Sequence, residues 1–443
     1  MIFDIFNGEA LFVYFLIGIK GKGMLSLAKF LFDMGVKVEG YDDNCEKDDV
    51  YFELQATGIN IYENLSNELL KDKFIIVSSA VNIECLLDKY GSIADFKYYY
   101  EFVADLTKKM NTISVCGSFG KTTTSVFLAQ ILNELVGCNY IVGDGSGYYN
   151  DNNKLFVLES CEYKKHFLNY QPSDLIITNI GSEHLDCYTD FDDIVDTFLK
   201  FSNNCLGKKV IFGDLLFLDY SKFEGDVTFY GYDLDNDVVI EKVVNNDIET
   251  IVVLDYFGKK IRFSVPLRLG KHQVLDLVGA IVMASLQSCD INRIISVVSN
   301  VRLPEHRFVQ KKIDGIDVIC DYCGHYAGIE SNIRQLRMLY PNKKINVIFE
   351  PISYIRMIKT CDLVCSALNE FDFVFVCDIV PLRENNIEQF NFSLHDIIDK
   401  LENSQYFDKN NELFFDDNDV VAIFAPVSNN LIEKKIRHKK NRS

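Results

Sequence analysis

Short apolar runs recur along the whole chain with helix-length amphipathic segments between them, and this alternation limits the fold more than any other feature. The runs are 11–19, 74–77, 112–116, 156–158, 175–178, 318–320, 345–349, 373–377 and 420–424. Strand-length runs separated by helical stretches build α/β units with largely parallel sheets. The stretch 209–265 differs, being richer in β-branched residues and turns, and it predicts an antiparallel insertion. At 443 residues the chain exceeds what one core usually encloses, so roughly two to four domains are expected. A polar stretch at 108–111 and the end of a helical pattern near 300–304 divide it into segments 1–107, 108–299 and 300–443.

Composition narrows the function. With 48% hydrophobic and 25% charged residues the chain reads as folded and soluble, and its net charge of -19 argues against nucleic acid as a partner. A local basic pocket for phosphates remains compatible with that charge. The 13 cysteines are scattered along the chain, and Cys116, Cys320 and Cys377 sit in apolar runs. Buried thiols in a reducing compartment fit this better than a disulfide framework. The early apolar stretch 10–19 is too short to cross a bilayer and lacks a basic leader. A cytoplasmic protein with no membrane partner is expected.

The chemistry starts at Gly117-Ser118-Phe119-Gly120-Lys121-Thr122-Thr123. A strand-like run ends at Cys116, and Leu128, Ile131, Leu132 and Leu135 then share one helical face. Strand, glycine turn and helix start are the setting a phosphate cradle requires, because glycines let N–H groups converge on phosphate oxygens at a helix N-terminus. Lys121 would reach the β and γ phosphates of ATP, and the Thr122 hydroxyl would hold Mg2+. Glu159 ends the run 156–158 and His184 follows the run 175–178, so both fall at carboxyl ends of strands, where open α/β sheets bind ligands.

These residues resemble the Mur ligase family of peptidoglycan synthesis, and its alanine-adding branch most. The loop 117–123 matches the family's compact G-T-x-G-K-T-T with Ser118 for the threonine, Glu159-Ser160-Cys161-Glu162-Tyr163 resembles its E-x-x-E-S element, and 178–188 matches T-N-I-x-x-D-H-x-D-x-Y. The resemblance implies that Glu159 and His184 are metal ligands beside Thr122. Residues 17–24 resemble the branch's I-G-I-G-G-x-G-M turn, which assigns Gly18, Gly21, Gly23 and Met24, with Asp42 at the next strand end, to a UDP sugar. Such a turn with an acid about 20 residues on is also a nucleotide crevice on physical grounds. Glu305-His306-Arg307 resembles the arginine-bearing entry to the third domain. Asp321-Tyr322-Cys323-Gly324-His325 aligns with D-D-Y-G-H, 349–356 aligns with F-Q-P-H-R-Y-T-R and keeps Arg356 while Ser353 replaces the other arginine, and 378–384 matches D-I-Y-P-A-R-E. The family's late G-A-G-D turn is replaced by Ala425-Pro426-Val427-Ser428, and Phe198 stands where other branches carry a modified lysine.

The resemblance implies three domains: a Rossmann-like N-terminal domain for the UDP sugar, a P-loop central ATPase domain, and a Rossmann-like C-terminal domain for the amino acid. It implies ATP and Mg2+ as cofactors and, as partners, UDP-N-acetylmuramate and L-alanine joined through an acyl phosphate. Arg307 and Asp321 would serve the ADP side, His325 and Arg356 the incoming amino acid, in a monomer or weak dimer. Two alternatives stay open within the family: a recycling ligase adding a tripeptide to the same nucleotide sugar, and a homologue that binds but no longer turns over. The N-terminal turn taken alone would also suit a dinucleotide-dependent oxidoreductase.

Overall fold

The structure is a computed structural model that describes residues 13–90, 96–181, 187–246, 248–305, 307–381, 384 and 387–439. The chain divides into two compact units: residues up to 244 with 250–266 and 275–302, and residues 245–249 and 267–274 with those from 303 onward.

Two sheets build the first unit. Strands β1 (Val13–Ile17), β2 (Val38–Tyr41), β3 (Asn60–Tyr62), β4 (Lys73–Val77) and β5 (Phe96–Tyr98) form a parallel sheet in the order β3-β2-β1-β4-β5. Strand β1 is apolar throughout because it is covered on both faces, as parallel sheets usually are. Phe15 and Ile17 face one cluster with Ile75 and Val77, while Tyr14 and Leu16 face another with Phe30 and Phe102. The order reverses beside β1, and the crevice beyond the carboxyl ends at such a point is where this kind of sheet takes its ligand.

The second sheet holds β6 (Asn111–Cys116), β7 (Cys138–Ile141), β8 (Gly147–Tyr148), β9 (Leu155–Glu159), β10 (Asp174–Ile177), β11 (Lys208–Phe212), β12 (Asp226–Gly231), β13 (Val238–Asn245), β14 (Thr250–Tyr256) and β15 (Lys259–Val265). Its order is β15-β14-β13-β12-β11-β10-β6-β9-β7-β8. The expected antiparallel insertion over 209–265 is only partly present: β11 and β12 extend the parallel sheet, whereas β14 and β15 pair as an antiparallel hairpin. The physical difference is visible in the strands. The run Val210-Ile211-Phe212 is apolar without alternation, as suits a strand covered on both faces, whereas β14 and β15 alternate buried and partly open positions.

The helix Lys22–Asp33 lies against this second sheet as well as its own. Phe30 meets the rings of Tyr149 and Phe156 at 5.2 and 5.4 Å. Ser26 Oγ donates to the Val142 carbonyl at 2.5 Å, and Lys29 Nζ donates to that of Gly145 at 2.8 Å.

In the second unit β16 (Val309–Ile313), β17 (Ile316–Cys320), β18 (Lys344–Phe349), β19 (Phe373–Val376), β20 (Ser404–Tyr406) and β22 (Asp419–Phe424) form a sheet in the order β16-β17-β22-β18-β19-β20, parallel except for the β16–β17 hairpin. Strands β21 (Leu413–Phe415) and β23 (Ile436–His438) pair separately. Apolar clusters cover both faces of the large sheet. Among the described residues no helix is long and apolar enough to cross a membrane.

Packing of the helix Lys22–Asp33 onto β8 depends on Gly147, where an added Cβ would stand 1.9 Å from the Ser26 carbonyl oxygen. Backbone cannot yield as a flexible side chain can, so Gly147→Ala is expected to destabilise the first unit by about 1–3 kcal/mol. A lowered thermal or urea midpoint checks this; an unchanged midpoint would show that the contact yields freely.

Candidate active site

The loop after β6 adopts a conformation that only glycine accepts easily. Gly117 has φ +141° and Gly120, which precedes the helix Lys121–Leu135, has φ +80°. A Cβ on Gly117 would lie 2.0 Å from Thr178 Oγ1, and one on Gly120 would lie 2.2 Å from Asp276 Oδ1. The segment after β10 clasps the loop from outside. Phe119 N donates to Asn179 Oδ1 at 3.0 Å, Ser118 N to the Asn179 carbonyl at 3.2 Å, and Gly181 N to Ser118 Oγ at 2.8 Å. The N–H groups of Lys121, Thr122 and Thr123 open the helix and have no carbonyl four residues back, which leaves them aimed beyond the helix end. This is an anion cradle.

Lys121 turns back over the cradle. Its Nζ lies 2.9 Å from Glu162 Oε2 and donates to the carbonyls of Gly117 at 2.6 Å and Ser118 at 3.1 Å, with 13% of the lysine side chain and 1% of the glutamate exposed. Burial works against the ammonium, but the neighbouring Glu162 carboxylate overrides it and raises the Lys121 pKa. The Thr122 hydroxyl donates to Glu159 Oε1 at 3.0 Å, and Gly143 N donates to Glu159 Oε2 at 2.6 Å. Loop, lysine, threonine and Glu159 are thus brought together. Glu162 also belongs, and its signal was its place three residues after Glu159 in the same short element. His184 lies outside the described residues, and among those residues no group of three or more His, Cys, Asp or Glu side chains gathers to hold a metal.

At the turn after β1, Gly18 has φ +82° and bonds the Tyr41 carbonyl from its N–H at 2.8 Å. Gly21 precedes the helix Lys22–Asp33. Gly23 lies against the Tyr99 ring. Asp42 faces the turn, yet its oxygens accept from Lys20 N at 2.9 Å and Asn44 N at 3.0 Å, so it buttresses the turn. The Met24 side chain is buried in the core, so Met24 can meet a ligand only through its backbone.

The second unit gathers its own candidates at the carboxyl ends of its strands. Asp321 Oδ2 accepts from Phe308 N at 2.8 Å, and burial pushes its carboxyl up while Arg307 holds it down in part. Arg307 donates to the Tyr322 carbonyl at 2.9 Å and lies over the Tyr322 ring. His325 caps the helix Tyr326–Leu339, accepting from Gly328 N through Nδ1 at 3.0 Å. Arg356 comes near Gly324, where an added Cβ would stand 3.8 Å from Arg356 Nη1. Ser353 caps the helix Tyr354–Leu368 and donates to Glu384 Oε1 at 2.5 Å. His306 and Arg383 lie outside the described residues.

Residues 13–106 match the family model described as Mur ligase family, catalytic domain, and 115–284 match the Mur ligase middle domain. A protein named UDP-N-acetylmuramate--L-alanine ligase from Streptococcus gordonii is 29% identical over 397 residues, 88% of each chain. One of the same name from Streptococcus agalactiae is 31% identical over 376 residues, 83% of each. Among solved structures, UDP-N-acetylmuramate-alanine ligase from Thermotoga maritima superposes with a TM-score of 0.77 at 20% identity, covering 96% of this chain and 97% of its own. A murein peptide ligase from Psychrobacter arcticus gives 0.70 at 18% identity with the same coverage, which shows shared fold. With two family models matched over more than half of its residues and these relatives along most of its length, the chain belongs to the Mur ligase family.

Proposed function

We propose that the chain joins L-alanine to the carboxylate of UDP-N-acetylmuramate, with ATP as phosphoryl donor, in peptidoglycan precursor synthesis. The observation that carries this is the cradle 117–123 with Lys121 and Thr122 set against two carboxylates, in a chain whose relatives of that name match it over more than four fifths of its length. Segment 1–107 binds the nucleotide sugar through Gly18, Gly21 and Gly23, segment 108–299 binds ATP, and segment 300–443 binds the amino acid.

In the first step an oxygen of the substrate carboxylate attacks the γ phosphorus and ADP leaves, forming an acyl phosphate. Phosphoryl transfer needs positioning and charge neutralisation more than covalent help. The N–H groups at the helix start hold the phosphates, and Lys121 exchanges Glu162 for the migrating phosphoryl oxygens. In the second step the amine of L-alanine attacks the acyl carbon, phosphate departs, and the amide nitrogen loses a proton. Arg356 takes the alanine carboxylate and His325 lies beside it, while Arg307 and Asp321 serve the ADP side. Thr122, Glu159 and Glu162 present the hard oxygen donors that suit Mg2+, and His184 completes the set by resemblance. Bound there, the ion supplies further charge neutralisation.

Phosphate release from ATP with UDP-N-acetylmuramate, measured across a panel of amino acids and the muropeptide tripeptide, is expected to favour L-alanine. Preference for the tripeptide, or no release with any acceptor, overturns the reading. Lys121→Ala is expected to lower turnover by at least about a hundredfold. Thr122→Val keeps the side-chain shape and removes the oxygen, so the Mg2+ concentration for half-maximal activity should rise at least about tenfold with no fall in thermal midpoint. Unaltered Mg2+ dependence would remove Thr122 from the metal site.

A further inference from the structure

Two glycine turns occupy the first unit, after β1 and after β6, and one set of contacts fixes them to each other. The helix that starts at the first turn donates from Ser26 to the Val142 carbonyl, the next residue, Gly143, donates to Glu159, and Glu159 accepts the Thr122 hydroxyl at the second turn. A Cβ on Gly143 would stand 2.5 Å from the Glu159 carboxylate, so the path has no slack. If the chain is the proposed ligase, a carboxylate carried by the nucleotide sugar must reach the γ phosphorus of ATP between these turns.

Tyr99 stands beside the first of these turns. It follows β5 directly and opens the helix Tyr99–Thr107. Its ring lies against Gly23 in the first turn, where an added Cβ would meet Tyr99 Cζ at 3.4 Å and Oη at 3.5 Å. Glu159 and Cys161 act electrostatically on its phenol. The hydroxyl makes no hydrogen bond among the described residues. A phenol is protonated at physiological pH, so the hydroxyl is a neutral donor. An anionic substrate approaching Glu159 meets like charge, and a neutral donor is the kind of group that offsets it.

We propose that Tyr99 contacts the substrate, its phenolic O–H donating a hydrogen bond to the muramyl carboxylate of the nucleotide sugar and to the acyl phosphate that it becomes. Tyr99 keeps its proton throughout. The assignment rests on the ligase reading, and it separates from that reading experimentally. Calorimetric titration with UDP-N-acetylmuramate and with UDP-N-acetylglucosamine, which lacks the lactyl ether that bears the carboxylate, measures the contribution of that lactyl group. The unsubstituted protein should prefer the first. Tyr99→Phe should shrink the preference about tenfold or more, the size of one hydrogen bond to a charged group. Affinity for UDP-N-acetylglucosamine, KM for ATP and the thermal midpoint should hold, and kcat/KM for UDP-N-acetylmuramate should fall in step. A preference within about twofold of the unsubstituted protein's overturns the role of Tyr99 and leaves the ligase reading standing. No preference in the unsubstituted protein overturns both.

Discussion

The ammonium of Lys121 and the carboxylate of Glu162 lie 2.9 Å apart and are almost wholly removed from water. Neither could be buried alone without a penalty of several kcal/mol, so the position of each decides where the other can be. The chain goes to some strain to hold Glu162 there. Lys164 and Lys165 follow it with φ of +52° and +59°, a region that non-glycine residues seldom occupy and that costs on the order of 1–3 kcal/mol apiece. The bend persists because its surroundings fix it. Lys165 N and the Tyr188 hydroxyl both donate to the Glu162 carbonyl, at 2.9 and 2.6 Å, and Lys165 Nζ reaches Asp193 at 2.5 Å. The segments on either side of residues 182–186 are thereby tied to the same phosphate loop, one through Asn179 and the other through Tyr188.

The second unit departs from its family's pattern, yet the departures close on themselves. Glu350, in place of a glutamine, is fully buried, and its Oε2 accepts from Val427 N and Ser428 N at 2.9 and 3.0 Å. Those residues belong to the loop that replaces the family's glycine turn, and Lys409 supplies the counter-charge at 2.9 Å from Oε1. Ser353, in place of an arginine, caps its helix and bonds Glu384. These are local hydrogen-bond sets that satisfy the substituted side chains. A unit that had lost all constraint would leave such buried groups unpaired, at about 1–3 kcal/mol each.

Much of this was legible in the sequence, because apolar runs and glycine turns report backbone environment directly. The strand, loop and helix at 111–135 follow from their residues, as do the parallel sheets. What the sequence could not disclose was pairing at a distance. Glu159 ends a strand and drew attention for that reason, while Glu162 meets Lys121 only because the chain bends left-handed at two lysines, where no glycine advertises the turn. Strands β11 and β12 were mistaken for part of an antiparallel insertion because β-branched composition does not reveal which neighbour a strand will find. Met24 sits in a ligand-binding motif, and its side chain serves the core.

The positions of a glycine-rich motif therefore carry unequal physical demands. Gly18, Gly117 and Gly120 have positive φ, and a Cβ at any of them would come within 3.0 Å of another atom. Lys20 replaces a glycine of the first turn without being left-handed. Its N–H still reaches Asp42, as any residue's would, and its ammonium leaves the turn for the carbonyls of Asn44 and Glu46 and the carboxylate of Asp48. Ser118 in the second turn is likewise compatible, because that position uses a hydroxyl to bond the backbone of Gly181. Substitution at such a site is informative only after the backbone angle and the nearest atom are known, and here both locate the strict requirement at Gly18, Gly117 and Gly120.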